Sequence, residues 1–141
     1  MINVKTLLLL AIICIIAVSC ARMFTSRNQN AAGALSAFAT VGVDEFQALI
    51  ADPSVQLLDV RSRDEFDEGH IAGAVLVDVN DSAFVHNAMA LIDVSRPVAV
   101  YCRSGRRSAR AASLLSAQGL TVTNLGGGVM AWQDAGKALV R

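Results

Sequence analysis

Two kinds of apolar pattern alternate along the chain after about residue 40. Short runs rich in Val, Leu and Ile are typical of buried strands, and segments with apolar residues at helical spacing lie between them. Strands interleaved with helices predict an α/β fold, with a mostly parallel sheet covered by helices on both faces. Asp44 is the expected N-cap of the first helix. The predicted strands are 55–60, 74–77, 97–101 and 121–125, and the predicted helices are 43–50, 63–68, 82–92, 107–118 and 129–135.

The N-terminal pattern is different, because residues 7–18 are apolar without interruption and follow Lys5. This run is shorter than the about 20 residues that span a bilayer, and it suits the apolar core of an export signal. It ends in Ala17-Val18-Ser19-Cys20, which is similar to a bacterial lipobox. We therefore expect a lipoprotein-type export signal over 1–19 and lipidation of Cys20. An uncleaved signal anchor and an ordinary secretory peptide are the alternatives.

Residues 20–40 hold the lipidation site and then small and polar residues, and they predict a flexible tether. One domain is expected over 41–137. The chain as a whole is expected to be exported, anchored in a membrane by its lipid, and facing the periplasm or the cell exterior. Its charge is balanced, with 12 basic and 12 acidic residues, and it has no extended basic stripe and few aromatic residues. A nucleic-acid partner is therefore not expected.

The residues with chemical potential concentrate in the loop after the predicted strand 97–101. Cys102 ends that strand, and it would be the only thiol left once Cys14 departs with the signal and Cys20 is lipidated. Loop N–H groups and a helix N-terminus both favour an anion, so we expect a lowered thiol pKa and an anionic reactant at Cys102. The loop thus predicts a site for sulfur chemistry, with no metal or organic cofactor. Its remaining residues are Arg103, Ser104, Gly105, Arg106, Arg107 and Ser108.

Three segments resemble the signature motifs of rhodanese-type sulfurtransferases. Residues 102–108 resemble the Cys-x4-Arg active-site loop of that family, and residues 57–61, 65–66 and 69–74 resemble its upstream signature. Residues 125–132 resemble its closing Gly-Gly…Trp segment. The resemblance covers about 41–136 and implies a rhodanese-like three-layer sandwich. It also implies transfer of sulfane sulfur from a donor such as thiosulfate to a thiophilic acceptor, through a persulfide on Cys102 and with ping-pong kinetics.

Within this chemistry the loop residues have distinct expected roles. Arg103 and Arg106 are expected to attract and steer the anionic donor, whereas Arg107 is expected to turn inward and brace the loop. Gly105 is expected to adopt a backbone angle that a Cβ atom disfavours. The hydroxyl groups expected to reach the persulfide are those of Ser104 and Ser108.

Two other functions stay open. Phosphatases and arsenate reductases use a Cys-x5-Arg loop, but here Arg107 stands at x4 and Ser108 occupies the x5 position. The shorter loop favours one sulfur atom over a tetrahedral phosphate. A persulfide carrier or binding module that serves a protein partner is the other alternative.

Further residues are expected to support the site rather than to react. Asp59 and Arg61 follow a strand and reach the same carboxyl edge as Cys102, where they could orient the loop. A structural ion pair, with Arg61 bound to Glu65, is favoured over direct catalysis. Three other structural roles are expected: His70 as a hydrogen-bonded turn residue, Trp132 in the core, and Asn124 with residues 126–128 in a tight connection near the site.

Overall fold

The computed structural model describes residues 38–141 and confirms the interleaved strands and helices. Every predicted element is present, with bounds that differ by two residues at most. The expected export signal, the lipidation of Cys20 and most of the expected tether lie outside the described residues. Within residues 38–141, no helix is both long enough and apolar enough to cross a membrane. The elements are β1 (Ala39–Val41), α1 (Val43–Ile50), β2 (Gln56–Asp59), α2 (Arg63–Glu68), β3 (Val75–Leu76), α3 (Phe84–Leu91), β4 (Val98–Tyr101), α4 (Arg106–Ser116), β5 (Val122–Leu125) and α5 (Gly128–Asp134).

The five strands form one sheet in the order β1-β5-β4-β2-β3, and every neighbouring pair is parallel. The register pairs Asp59 with Tyr101, the last residues of β2 and β4. All five strands therefore point the same way, and their carboxyl ends meet at one edge. Ligand sites of parallel α/β sheets lie outside this edge, and Cys102 follows β4 directly.

Alternating side chains of the central strands explain the two helix layers. On β4, all of whose residues are buried, Val98 and Val100 belong to one apolar cluster and Ala99 and Tyr101 to the other. The first cluster includes residues of α3 and α4, and the second includes residues of α1 and α5. The sheet is therefore buried on both faces, and the predicted three-layer α/β architecture is confirmed.

Strand β1 corrects the boundary expected from the sequence. Residues 39 and 40 were expected to belong to the tether, with the domain starting at residue 41. Instead Ala39–Val41 forms an edge strand that pairs with residues 123–125 of β5. Ala39 and Thr40 are exposed, so this strand lacks the apolar run by which the others were found.

Two helix starts also differ from expectation. Asp44 is not the N-cap of α1, because Gly42 occupies that position without a side-chain cap, and Asp44 lies in the first turn. Helix α2 does begin with a capping box, in which Ser62 Oγ accepts from the Glu65 N–H and the Glu65 carboxylate accepts from the Ser62 N–H. The spacing Ser-x-x-Glu is the sequence signal for such a box, and this box was not predicted.

Candidate functional site

The sulfur atom of Cys102 lies at the floor of a loop that connects β4 to α4. Cys102 is fully buried. Its Sγ accepts the backbone N–H of Gly105 at 3.1 Å and the hydroxyl of Ser108 at 3.3 Å. The expected anion-binding loop is therefore present around the thiol, with its donors aimed at the sulfur.

These donors decide the ionisation of the thiol. Burial by itself raises the pKa of Cys102, because a charged sulfur is poorly solvated in the interior. The Ser108 hydroxyl and the backbone N–H groups of Ser108, Ser104 and Gly105 act in the opposite direction and leave the pKa below its ordinary value. The N-terminus of the 11-residue helix α4 adds a favourable dipole at the same place. The arrangement favours a thiolate, which is the nucleophilic form of cysteine.

Two glycines let the backbone pack closely around this loop. Gly105 has a φ angle of 89°, which confirms the conformation predicted for it, and a Cβ there would lie 3.0 Å from the Gly127 nitrogen. A Cβ on Gly128 would lie 2.4 Å from the carbonyl oxygen of Cys102. The expected tight connection over residues 126–128 therefore lies directly behind the loop.

The start of α5 completes the rear of the loop. The N–H of Val129 donates to the Cys102 carbonyl at 2.8 Å, and the N–H of Met130 donates to the Arg103 carbonyl at 3.1 Å. These backbone contacts were not predicted, since main-chain groups of distant residues leave no side-chain signal in the sequence.

The arginines of the loop divide into two groups. Arg103, Arg106 and Arg110 are exposed, and within residues 38–141 none of them forms an ion pair with a carboxylate. An open depression of about 370 Å³ is lined by Arg106, Arg107, Arg110 and the exposed Ser104. Arg106 and Arg110 give this surface, formed by the cysteine loop and the first turns of α4, a positive charge that no carboxylate within residues 38–141 pairs with, which suits the attraction of small anions.

Arg107 instead forms a two-point ion pair with Glu65 of α2. Its Nη1 lies 2.7 Å from Oε2 and its Nη2 lies 2.6 Å from Oε1. Hydrogen bonding from Arg107 is the largest cause that lowers the pKa of Glu65 to about 2, against the effect of partial burial. The expectation that Arg107 braces the loop agrees with this geometry, but its partner, Glu65, was not predicted.

The expected ion pair between Arg61 and Glu65 is wrong, because the carboxylate bound by Arg61 is that of Asp59. Arg61 Nη2 lies 2.6 Å from Asp59 Oδ2, and both residues are buried. The same Nη2 donates to the carbonyl of Gly69 at 2.8 Å, and the guanidinium lies 5.7 Å from the centroid of the Tyr101 ring. The pair thus ties the end of β2 to the turn after α2, and none of its hydrogen bonds reaches Cys102.

Trp132 lies in the core, as predicted, and His70 is hydrogen-bonded, as predicted, but in a β-bridge instead of a turn. His70 Nδ1 lies 3.1 Å from the Phe66 carbonyl, its ring stacks on that of Phe66, and its backbone exchanges two hydrogen bonds with Val140. Trp132 is buried in the second cluster, and its Nε1 donates to the Ala138 carbonyl. The contacts of His70 place it in an isolated antiparallel bridge with Val140 rather than in a turn, and they give no sign of a role as a base.

Asn124 links the sheet edge to the loop. Its Nδ2 donates to the Thr40 hydroxyl at 3.2 Å and to the Gly105 carbonyl at 3.5 Å. Its Oδ1 is buried and has no hydrogen-bond partner among the described residues. The side chain therefore lies behind the loop, as expected, and connects it to β1.

The described part of the chain contains no cluster of three or more His, Cys, Asp or Glu side chains suited to bind a metal ion.

The fold and the site together place this protein among the parallel α/β domains that hold a cysteine in an anion-binding loop at a helix N-terminus. The family model of the rhodanese-like domain matches residues 42–135 of the sequence, and the chain belongs to the rhodanese-like family. The resemblance found in the sequence is therefore confirmed at the level of the family and of its fold.

Characterised relatives and solved structures agree with this assignment. The chain is 33% identical over 120 residues to thiosulfate sulfurtransferase 18 of Arabidopsis thaliana, covering 76% of this chain and 88% of the relative. It is 34% identical over 102 residues to the thiosulfate sulfurtransferase GlpE of Shewanella oneidensis, covering 72% and 98%. A rhodanese-related protein from Thermoplasma volcanium is similar in structure, with a TM-score of 0.64, 26% identity and coverage of 73% and 98%. The rhodanese-like domain of the Anabaena Alr3790 protein has a TM-score of 0.65, 28% identity and coverage of 74% and 80%.

Proposed function

We propose that this protein is a sulfurtransferase that moves sulfane sulfur from an anionic donor such as thiosulfate to a thiophilic acceptor. Cys102 is the nucleophile and carries the sulfur as a persulfide. The single observation that carries the proposal is the hydrogen bonding of Cys102 Sγ by Gly105 and Ser108, in a loop that favours the thiolate. Relatives named as thiosulfate sulfurtransferases support the choice of donor.

In the first half-reaction the Cys102 thiolate attacks the outer sulfur of thiosulfate. A new sulfur–sulfur bond forms, the sulfur–sulfur bond of the donor breaks, and sulfite leaves with the electron pair. Arg103 and Arg106 attract the doubly charged donor to the loop, since both are exposed and carry no carboxylate partner within the described residues. The loop N–H groups then face a persulfide that is again an anion.

In the second half-reaction the acceptor attacks the outer sulfur of the persulfide. The bond between the two sulfur atoms breaks, and Cys102 leaves as a thiolate. The donors that lower the pKa of Cys102 stabilise this leaving group as well, so the same hydrogen bonds serve both steps.

The depth of the thiol favours sulfur transfer over phosphoryl transfer. Cys102 is fully buried, and a single terminal sulfur atom reaches a buried thiol more easily than a tetrahedral phosphate does. The arginine at the end of the loop, Arg107, is held by Glu65 rather than left free for an oxyanion. A persulfide carrier for a protein partner would share the first half-reaction and differ only in the acceptor.

Intact mass spectrometry of the purified protein after brief thiosulfate treatment tests the proposal. We expect a gain of one sulfur atom on Cys102 that cyanide then removes, and no gain in the Cys102→Ser variant. An unchanged mass, with Cys102 still open to alkylation, would contradict sulfur transfer. A persulfide that small thiols and cyanide cannot discharge would favour the carrier.

We also propose that the N-terminal segment exports the chain and that a lipid on Cys20 anchors it to a membrane, facing the periplasm or the cell exterior. The apolar run 7–18 and the motif around Cys20 support this. In a bacterial host, the protein should fractionate with membranes and carry a lipid mass, and Cys20→Ala should lose both. Equal membrane association of the variant would point to an uncleaved anchor instead.

A further inference from the structure

The Glu65 carboxylate joins two structures that lie far apart in the sequence. Its Oε2 lies 3.2 Å from both the N–H and the hydroxyl of Ser62, where it forms part of the cap of α2. The same carboxylate holds both terminal nitrogens of Arg107, 42 residues further along the chain. The two side chains keep only 25% and 30% of their surface exposed. Such a fork geometry is stronger and more directional than a single contact.

The position of Arg107 affects the hydrogen bonds to the thiol because of its place in the chain. It precedes Ser108, whose hydroxyl and N–H are both directed at Cys102. It follows Gly105 and Arg106, so any movement of Arg107 displaces the first turn of α4, on which these donors depend. Fixing the Arg107 side chain therefore fixes the hydrogen bonds to the sulfur.

We propose that Glu65 is a positioning residue of the cysteine loop: it holds Arg107 from the neighbouring helix and thereby keeps the loop donors on Cys102. The inference rests on the proposed function in taking Cys102 as the reactive group. Glu65 touches neither the sulfur nor the depression beside it, and its effect passes through Arg107.

The direction in which the pKa of Cys102 changes when Glu65 is replaced separates this role from a simple charge effect. The charged groups near the thiol are Arg103, Arg106 and Arg107 on its own segment, Glu65 on α2, and Asp78 after β3, which also interacts with Arg107. If only charge mattered, removal of the negative Glu65 would stabilise the thiolate and lower the pKa of Cys102. If Glu65 holds the loop, its removal loosens hydrogen bonds to the thiolate, and that pKa rises.

The experiment measures the pH dependence of iodoacetamide alkylation at Cys102, read on the peptide that contains it. Glu65→Gln removes the charge but keeps the cap of α2, because Gln also serves at this position of a capping box. We expect the pKa of Cys102 to rise by about one unit in this variant. Asp67→Asn is the matched control, since it removes one exposed charge from the same helix and should leave that pKa unchanged.

Two further variants secure the result. Glu65→Asp keeps the charge but shortens the side chain, so a rise in the pKa of Cys102 there supports the proposal even if Glu65→Gln fails to fold. The double variant Glu65→Gln/Arg107→Gln should have a Cys102 pKa no higher than that of Arg107→Gln alone, because Glu65 acts through Arg107. Additive rises in the double variant would overturn this pathway.

An unchanged or lowered pKa of Cys102 in folded Glu65→Gln, or a wild-type pKa in Glu65→Asp, would overturn the proposal. No sulfur donor enters the measurement. A failure to form a persulfide with thiosulfate would therefore count against the proposed function and leave the role of Glu65 to be decided by alkylation.

Discussion

Two arginine–carboxylate pairs lie at the carboxyl edge of the sheet, and they differ in both burial and reach. Arg61 and Asp59 stand two residues apart and are almost wholly buried, with 6% and 0% of their side-chain surface exposed. Arg107 and Glu65 lie 42 residues apart and are partly exposed. The first pair secures the chain after β2 and the second joins a helix to the cysteine loop. The same ionic contact thus supports the fold in one place and the reactive group in the other.

The largest expected effect concerns the buried pair. Arg61→Met leaves the Asp59 carboxylate buried without its partner, which should lower the free energy of unfolding by about 3–5 kcal/mol. Urea unfolding measures this loss. Arg63→Met, an exposed arginine in an i,i+4 pair, should change it by about 0.5 kcal/mol or less. A loss from Arg61→Met as small as that of Arg63→Met would remove the contrast between the two pairs.

For the pair of Arg107 and Glu65, we expect a small effect on stability and a large effect on the pKa of Cys102. Arg107→Gln should cost about 1 kcal/mol of stability or less, because the pair is partly solvated. It should nevertheless raise the pKa of Cys102 by about one unit, since the Arg107 charge favours the thiolate. Alkylation against pH and urea unfolding of the same sample measure both quantities. A large loss of stability with an unchanged thiol pKa would show that this pair supports the fold and not the reactive group.

The pH dependence of stability gives a third and smaller test of the loop pair. Glu65 has its pKa lowered from 4.5 to about 2, so its ion pair contributes stability that is fully present above pH about 4.5. That contribution is lost as the pH falls through the folded-state pKa. The difference in unfolding free energy between wild type and Glu65→Gln should therefore shrink between about pH 4.5 and pH 2. A difference that stays constant over this range would contradict the ionised pair.

The smallest expected effects concern the arginines that have no carboxylate partner within the described residues. Arg106→Ala should raise the KM for thiosulfate about two- to fivefold, because an exposed charge is well screened. It should slow attack by a neutral thiol acceptor less. Arg110→Ala, one helical turn further on, is the control for loss of charge and should have a smaller effect. Equal effects on both half-reactions would contradict a steering role for Arg106.

Local signals made most of the fold and the loop predictable. The bounds of α1 and α2 agree with the prediction because apolar spacing and helix-ending residues are contiguous there. The loop from Cys102 onward was predictable for the same reason, since the strand end, Gly105 and the helix start follow one another. Strand β1 gave no such signal, because two of its three residues are exposed and the strand is ordered by pairing with β5.

The partners of charged and polar groups were less predictable than the elements that carry them. Whether Arg61 binds Asp59 or Glu65 depends on how the turn after β2 folds back, and both choices are close in sequence. The pairing of Glu65 with Arg107 exists only because the sheet brings α2 beside the start of α4. The Tyr101 hydroxyl, which accepts the Ile71 N–H, reflects the same kind of long-range proximity.

The contacts of Val129 and Met130 with the carbonyls of Cys102 and Arg103 also bear on how the protein is made. A chain leaving the ribosome presents Cys102 before the residues that close the rear of its loop. Until α5 has been synthesised and has docked, the loop carbonyls lack these partners and its N–H groups are not held toward the sulfur. The anion-binding loop is therefore completed only after the segment that forms α5 has been synthesised and has docked behind it.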